Sequence, residues 1–127
     1  PLPRVKVLQL SSCGIGDAGL VALAPALRQL PALKYLQLWR NFFGDEGIAA
    51  LVALSPPADA RSKGELMTNL KELDVSYTQI TDVGCVALTS ALNSGGLPAL
   101  WNLNLAYIPA HPEVIAAVYA ARTGMTE

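Results

Sequence analysis

Few residues in this 127-residue chain have side chains that could do chemistry. Its one histidine, His111, stands between Ala110 and Pro112, a setting that suits a helix cap or solvent better than a general base. Its two cysteines, Cys13 and Cys85, are too few for the disulfide framework of a small secreted domain, and no Cys/His spacing fits a metal site. Glu72 and Asp74 lie two residues apart, so on a strand they share one face and could hold a cation with Ser76. Only Gln37 and Asn104 could add ligands from neighbouring columns, and two carboxylates on a solvated face usually form a polar rim. There is no Gly-rich phosphate loop and no nucleophile with a base in evident reach. The sequence therefore predicts no enzyme, no metal and no cofactor.

Composition excludes further classes. Nine basic against ten acidic residues leave a formal charge of −1, so no polybasic surface exists to neutralise phosphates and no nucleic-acid partner is expected. Charged residues make up 15% of the chain and apolar ones 52%, which leaves little solvated surface for a chain this short. The longest apolar runs, Leu20–Ala24 and Ile48–Leu54, fall far short of the roughly 18–20 residues of a membrane span. Two thiols without a framework, and no Asn-x-Ser/Thr acceptor, favour an intracellular, cytoplasmic setting.

The elements that must position these side chains are legible as internal repeats. Four segments align from Val5, Leu33, Leu70 and Leu100, spaced by 28, 37 and 30 residues. Three residues on stand Leu8, Leu36, Leu73 and Leu103; five residues on stand Leu10, Leu38, Val75 and Leu105. Both columns alternate with polar or aromatic residues, the pattern of a strand buried on one face. Further along come Ile15, Phe43, Ile80 and Ala110; then Leu20, Ile48, Cys85 and Ile115; then Leu23, Leu51, Leu88 and Val118. The last two columns are three residues apart, one helical turn, so each repeat closes with a helix. Cys85, in such a column, is expected to act as a small hydrophobe.

Between strand and helix, Asp17, Asp45 and Asp82 are placed to cap the helix that follows each of them. Gly19, Gly47 and Gly84 come two residues later, where a missing Cβ lets the helix approach its neighbour. The fourth repeat has Pro112 and Val114 at these places and reads as a degenerate terminal unit.

The segments VKVLQLSSCGIGDAGLVAL, LKYLQLWRNFFGDEGIAAL and LKELDVSYTQITDVGCVAL resemble leucine-rich repeats, with L-x-x-L-x-L-x-x-N/C-x-I/L followed by D-x-G. A period near 28 is similar to that of the ribonuclease-inhibitor-like subfamily. The resemblance implies an α/β fold, a right-handed horseshoe segment of a solenoid with a parallel concave sheet and convex helices. Residues 1–127 are expected to form one domain, with a loop insertion at 55–65 that is a tolerated extension or, through Arg61 and Lys63, a docking loop. Cys13, Asn41 and Thr78 fall at the family's ladder position, where side chains bond backbone along the array, while Ile108 ends the ladder. Residues 1–4 read as the tail of a preceding repeat, so a longer array or a partner chain is expected over the first strand; an N-terminal segment lost from the chain is the alternative.

Function is then expected on the concave face. The sixteen outward strand positions hold four of the chain's eight aromatic residues, about a fourfold excess. Tyr35, Trp39, Arg40, Tyr77 and Tyr107, with Glu72 and Asp74, are the expected partner-binding patch, because exposed Trp, Tyr and Arg dominate binding hot spots. Aromatics also suit strands and can pack on one another across the sheet, which is the competing explanation. The leading expectation is a protein-interaction module; the alternatives are a structural subunit of a larger assembly and a regulator of an enzyme, an inhibitor or GTPase activator by family analogy.

Overall fold

Alternating strands and helices, β1 (Val7–Gln9), α1 (Asp17–Arg28), β2 (Tyr35–Gln37), α2 (Asp45–Val52), β3 (Glu72–Asp74), α3 (Asp82–Asn93), β4 (Asn102–Asn104) and α4 (Pro112–Thr126), follow the four repeats in order. This is a computed structural model, and it describes residues 4–30, 32–52, 69–94 and 97–126. The 55–65 insertion lies outside the described residues, as do residues 1–3. The strands form one parallel sheet in the order β1-β2-β3-β4. Its register is unshifted: Leu8 faces Leu36, Leu36 faces Leu73 and Leu73 faces Leu103. Identical spacing in each repeat sets that register, because a one-residue slip would turn a leucine column out to solvent. The fold is a leucine-rich-repeat α/β solenoid.

The core lies between the sheet and the helices. Leu36 and Leu73 from the strands, with Leu38 and Val75 just beyond them, meet Leu20, Ile48, Leu51, Cys85 and Leu88 from the helices, all at 1% exposure or less. The first repeat is less covered, with Leu8, Leu10 and Ile15 only partly buried. At the other end β4 is the last strand among the described residues, and the Leu105 N–H donates to the Tyr119 hydroxyl at 3.0 Å. That α4 side chain takes the place of a fifth strand for one backbone group.

The aspartate column differs from expectation. Asp17, Asp45 and Asp82 each open a helix, but their carboxylates accept from the start of the next repeat's helix. Asp17 Oδ1 accepts from the N–H groups of Gly44 and Gly47, both at 2.8 Å. Asp45 Oδ1 accepts from Thr81 N (2.7 Å) and Gly84 N (2.9 Å), and its Oδ2 from the Thr81 hydroxyl. Asp82 accepts from the His111 N–H at 2.8 Å and meets the imidazole Nδ1 at 2.6 Å. Cβ on a helix points back toward its N-terminus, and parallel stacking sets the neighbouring N-terminus beside it. Each carboxylate therefore satisfies orphan donors one repeat ahead.

The glycine column follows from this. A Cβ on Gly84 would lie 2.6 Å from Asp45 Oδ1 and 2.7 Å from Ile80 Cγ2, and one on Gly47 3.0 Å from Asp17 Oδ1. On Gly19 it would meet only Ile15 Cγ2, at 3.4 Å.

Candidate partner-binding face

The solvent side of the sheet carries four rows, because parallel strands in unshifted register bring equivalent residues side by side, about 4.8 Å apart. Val7, Tyr35, Glu72 and Asn102 form the first, and Gln9, Gln37, Asp74 and Asn104 the second. Beyond the strands, Ser11, Trp39, Ser76 and Ala106 form the third, with Ser76 buried, tied by bonds such as Leu38 N to Asp74 O and Val75 N to Asn104 O on the core side. The fourth row is Ser12, Arg40, Tyr77 and Tyr107.

This last row has a feature the repeat pattern does not reveal. All four residues are non-glycine with φ between 56° and 60°, the left-handed region. In the first three repeats the conformation is held by cross-repeat bonds from Ser12 N to Trp39 O, Arg40 N to Ser76 O and Tyr77 N to Ala106 O. The turn lifts these side chains onto the rim of the face. Tyr77 and Tyr107 stack there with ring centroids 4.6 Å apart and planes 18° from parallel, yet they remain 51% and 74% exposed. The two tyrosines thus do both things expected of them: they pack on each other and still present aromatic surface. Arg40 stands exposed next to Tyr77 in the row, while Tyr35 and Trp39 are half-buried further in.

Asp74 is partly engaged in the fold. Its Oδ1 accepts from the Ser76 N–H (3.0 Å) and hydroxyl (2.6 Å), closing the turn as the strand ends, and Asn104 Nδ2 donates to its Oδ2 at 3.4 Å. Gln9 and Asn104 make the same backbone bond in their repeats, to Ser11 N and Ala106 N. Glu72, beside Tyr35 in register, lines with Gln37, Leu73, Asp74, Asn102 and Asn104 a hollow of about 170 Å³ in the sheet face. Neither carboxylate has an ion-pair partner within 4 Å among the described residues.

The ladder position is corrected in part. Asn41 spans two repeats: its Oδ1 accepts from Cys13 N (3.1 Å) and Ile15 N (3.0 Å), and its Nδ2 donates to Leu10 O (3.0 Å) and Leu38 O (2.9 Å). Cys13 and Thr78 reach only their own repeats, through Cys13 Sγ to Ser11 O (3.5 Å) and Thr78 Oγ1 to Val75 O (2.7 Å). A thiol or hydroxyl on Cβ is shorter than an amide and lacks its paired donor and acceptor ends.

Other chemistry is limited among the described residues. Both thiols are free, and burial pushes the Cys85 thiol up to about 11, with the Asp82 and Asp45 charges adding to it. No group of three or more His, Cys, Asp or Glu side chains converges as a metal site. His111 is exposed, immediately precedes α4, and has its pKa raised by the hydrogen bond to Asp82. No hydroxyl or thiol bonds its Nε2 among the described residues. No helix is long and apolar enough to cross a membrane.

Two exposed aromatics were outside the expected patch, Phe42 (70% exposed) and Trp101 (55%). A signal for Phe42 existed. The core needs only the second residue of the Phe42-Phe43 pair, and the matching first residues are Gly14, Gln79 and Pro109. Trp101 interrupts the Lys6, Lys34, Lys71 column, a substitution visible in the alignment.

Comparison with known proteins agrees with this architecture. Residues 4–24 and 67–88 match a family model described as Leucine Rich repeat. No curated protein matches the chain. Among solved structures, it is similar to one titled Leiomodin-1 Actin-Binding Site 2, with a TM-score of 0.64 and 16% identity, over 98% of this chain and 82% of that one. At that identity the likeness concerns the fold. The chain accordingly carries leucine-rich repeats, matched at residues 4–24 and 67–88, in an α/β solenoid fold.

Proposed function

We propose that this chain is a protein-interaction module, a single unit spanning its four repeats, that engages another protein through the concave face, with Tyr35, Trp39, Arg40, Tyr77 and Tyr107 as contact residues and Glu72 and Asp74 beside them. The observation that carries the reading is the tyrosine pair. Two stacked rings, held on left-handed backbone and still half or more exposed, are rigid aromatic surface whose one ring contact among the described residues is with each other. Such preorganised side chains lose little entropy on binding. A ribonuclease-inhibitor-like subfamily assignment and an intracellular setting fit this reading through repeat length and two free thiols. The leiomodin-1 structure's title makes actin one partner to assay by co-sedimentation.

The test is affinity capture from the protein's source with wild type and a Trp39→Ala/Tyr77→Ala variant. A partner retained by the wild type and lost by an equally folded variant supports the module, and equal retention of every partner refutes it. A second reading, a subunit of a larger assembly, is favoured by the open front of the first repeat, where β1 has a strand on one side only and Val7 is 59% exposed. It predicts self-association of the isolated chain, and a monomer at high concentration by light scattering would remove it.

A further inference from the structure

The concave face is a sheet surface that no described helix covers, and its charges are not evenly spread. The hollow at β3 and β4 is lined by Leu73, by the amide residues Gln37, Asn102 and Asn104, and by Glu72 and Asp74, whose carboxylates only accept. Acceptors therefore outnumber donors there. An ionised carboxylate accepts about four hydrogen bonds. Asp74 Oδ1 takes two from Ser76, and its Oδ2 takes one long bond from Asn104. Glu72 shares no ion pair with any described residue. Two carboxylates thus line a polar hollow with unused acceptor capacity, and among the described residues no lysine or arginine pairs with either.

The tyrosine pair lies at one end of this hollow. Tyr77 is three residues beyond Asp74, which at about 3.3 Å per residue puts their Cα atoms no more than about 10 Å apart. A chain running extended over the face spans that distance in three residues. Carboxylates bind guanidinium and ammonium groups through charge-assisted hydrogen bonds, and tyrosine faces attract the same cations.

We infer that the concave face binds an extended segment of a partner protein that places an arginine or lysine in the hollow between Glu72 and Asp74, with an adjoining residue lying on the Tyr77–Tyr107 pair. This rests on the interaction reading above and assigns it a basic partner segment. The fourth repeat supplies the diagnostic substitution, since it already carries amides, Asn102 and Asn104, where the third carries acids. Asn104 also makes the turn bond that Asp74 makes. A Glu72→Gln/Asp74→Asn variant consequently removes both charges and keeps the acceptor that closes the turn. Glu72→Gln alone, at a side chain with no hydrogen-bond role described in the fold, keeps the test valid if the double variant melts early.

The probe is a phage-displayed library of random peptides panned against the full chain, with selected peptides resynthesised and titrated. The expected result is enrichment of Arg or Lys over the starting library. Those peptides should bind about tenfold or more weaker to the charge variant, which melts as the wild type does. Raising salt from about 0.1 M to about 1 M, which shortens the screening length from about 10 Å to about 3 Å, should weaken wild-type binding as well. Enriched peptides without basic residues, equal affinity for the charge variants, or no enrichment at all would overturn the inference. If the peptides ignore the charge variants but fail on Trp39→Ala/Tyr77→Ala, the basic segment alone is wrong and the concave module stands. If they ignore both sets, the module reading fails with it.

Discussion

The first and third repeats share residue types column by column, yet their surroundings differ. In the third, the helix start at Thr81 and Gly84 receives the Asp45 carboxylate, Leu73 is buried, and Gly84 is so enclosed that an added methyl would touch three side-chain atoms at 3.0 Å or less. In the first, Gly16 precedes α1 with no side-chain cap, Leu8 is partly exposed and Gly19 is open to solvent. The motif is the same, but each helix start and its glycine are completed by the aspartate of the repeat before. An aspartate and a glycine two residues apart are thus not partners; each aspartate belongs with the glycine one repeat later. Stability should accordingly be shared between neighbours, as in other stacked arrays.

That contrast can be pressed by mutation. The largest effect is expected in the leucine column: Leu73→Ala should cost about 2–5 kcal/mol in urea unfolding, as for other fully buried leucines, whereas Leu8→Ala should cost about 1 kcal/mol because its side chain is already partly in water. Equal losses would mean the first repeat is as enclosed as the third. Next comes the carboxylate: Asp45→Ala should cost about 1–2 kcal/mol through the cap it provides to α3. Hydrogen exchange should place the new opening at Thr81 and Gly84 rather than at the start of α2, and protection lost mainly around Gly44 and Gly47 would reverse the assignment.

The smallest effect is at the last link, Asp82 to His111, where both groups are exposed. The hydrogen bond raises the His111 pKa above its ordinary value of about 6.5, so its contribution is complete below that pH and lost as pH rises through the raised value. Asp82 is lowered, chiefly by the His111 N–H, so its contribution holds above the ordinary carboxylate range and fades as pH falls through the lowered value. Melting temperature should therefore favour wild type over His111→Gln most at mildly acidic pH, between those limits, and the gap should narrow on the alkaline side. A gap that widens with rising pH would contradict the pairing.

Much of the scaffold was legible in the residues. Period-two leucines followed by period-three apolar columns located all four strands and helices, since burial of one face leaves a mark on every repeat. What was not legible depends on contacts between repeats. Asp17 reads as a cap for its own α1, because sequence order suggests local bonding while stacking makes the next repeat closer for that side chain. Thr78 and Cys13 fit the ladder by type, and only distance shows that their short side chains stop within their own repeats. On the concave face, Tyr77 and Tyr107 were identified by position. Their left-handed backbone was hidden, since that conformation is marked in sequence chiefly when glycine occupies it. Phe42 was passed over because a Phe-Phe pair looks like core, and only Phe43 is.

The claim that each repeat is completed by the one before it is tested most directly by one pair of substitutions, Gly19→Ala and Gly84→Ala, compared by urea unfolding midpoint. Gly84→Ala should destabilise by about 1–3 kcal/mol, because the methyl must displace the Asp45 carboxylate and Ile80 from a packed contact. Gly19→Ala, at the same place in its motif, should stabilise by about 0.5–1 kcal/mol, since a helical glycine with space beside it gains from the methyl. Opposite signs are the predicted result. Destabilisation of similar size at both sites would show that the glycine serves its own repeat, and would contradict the account.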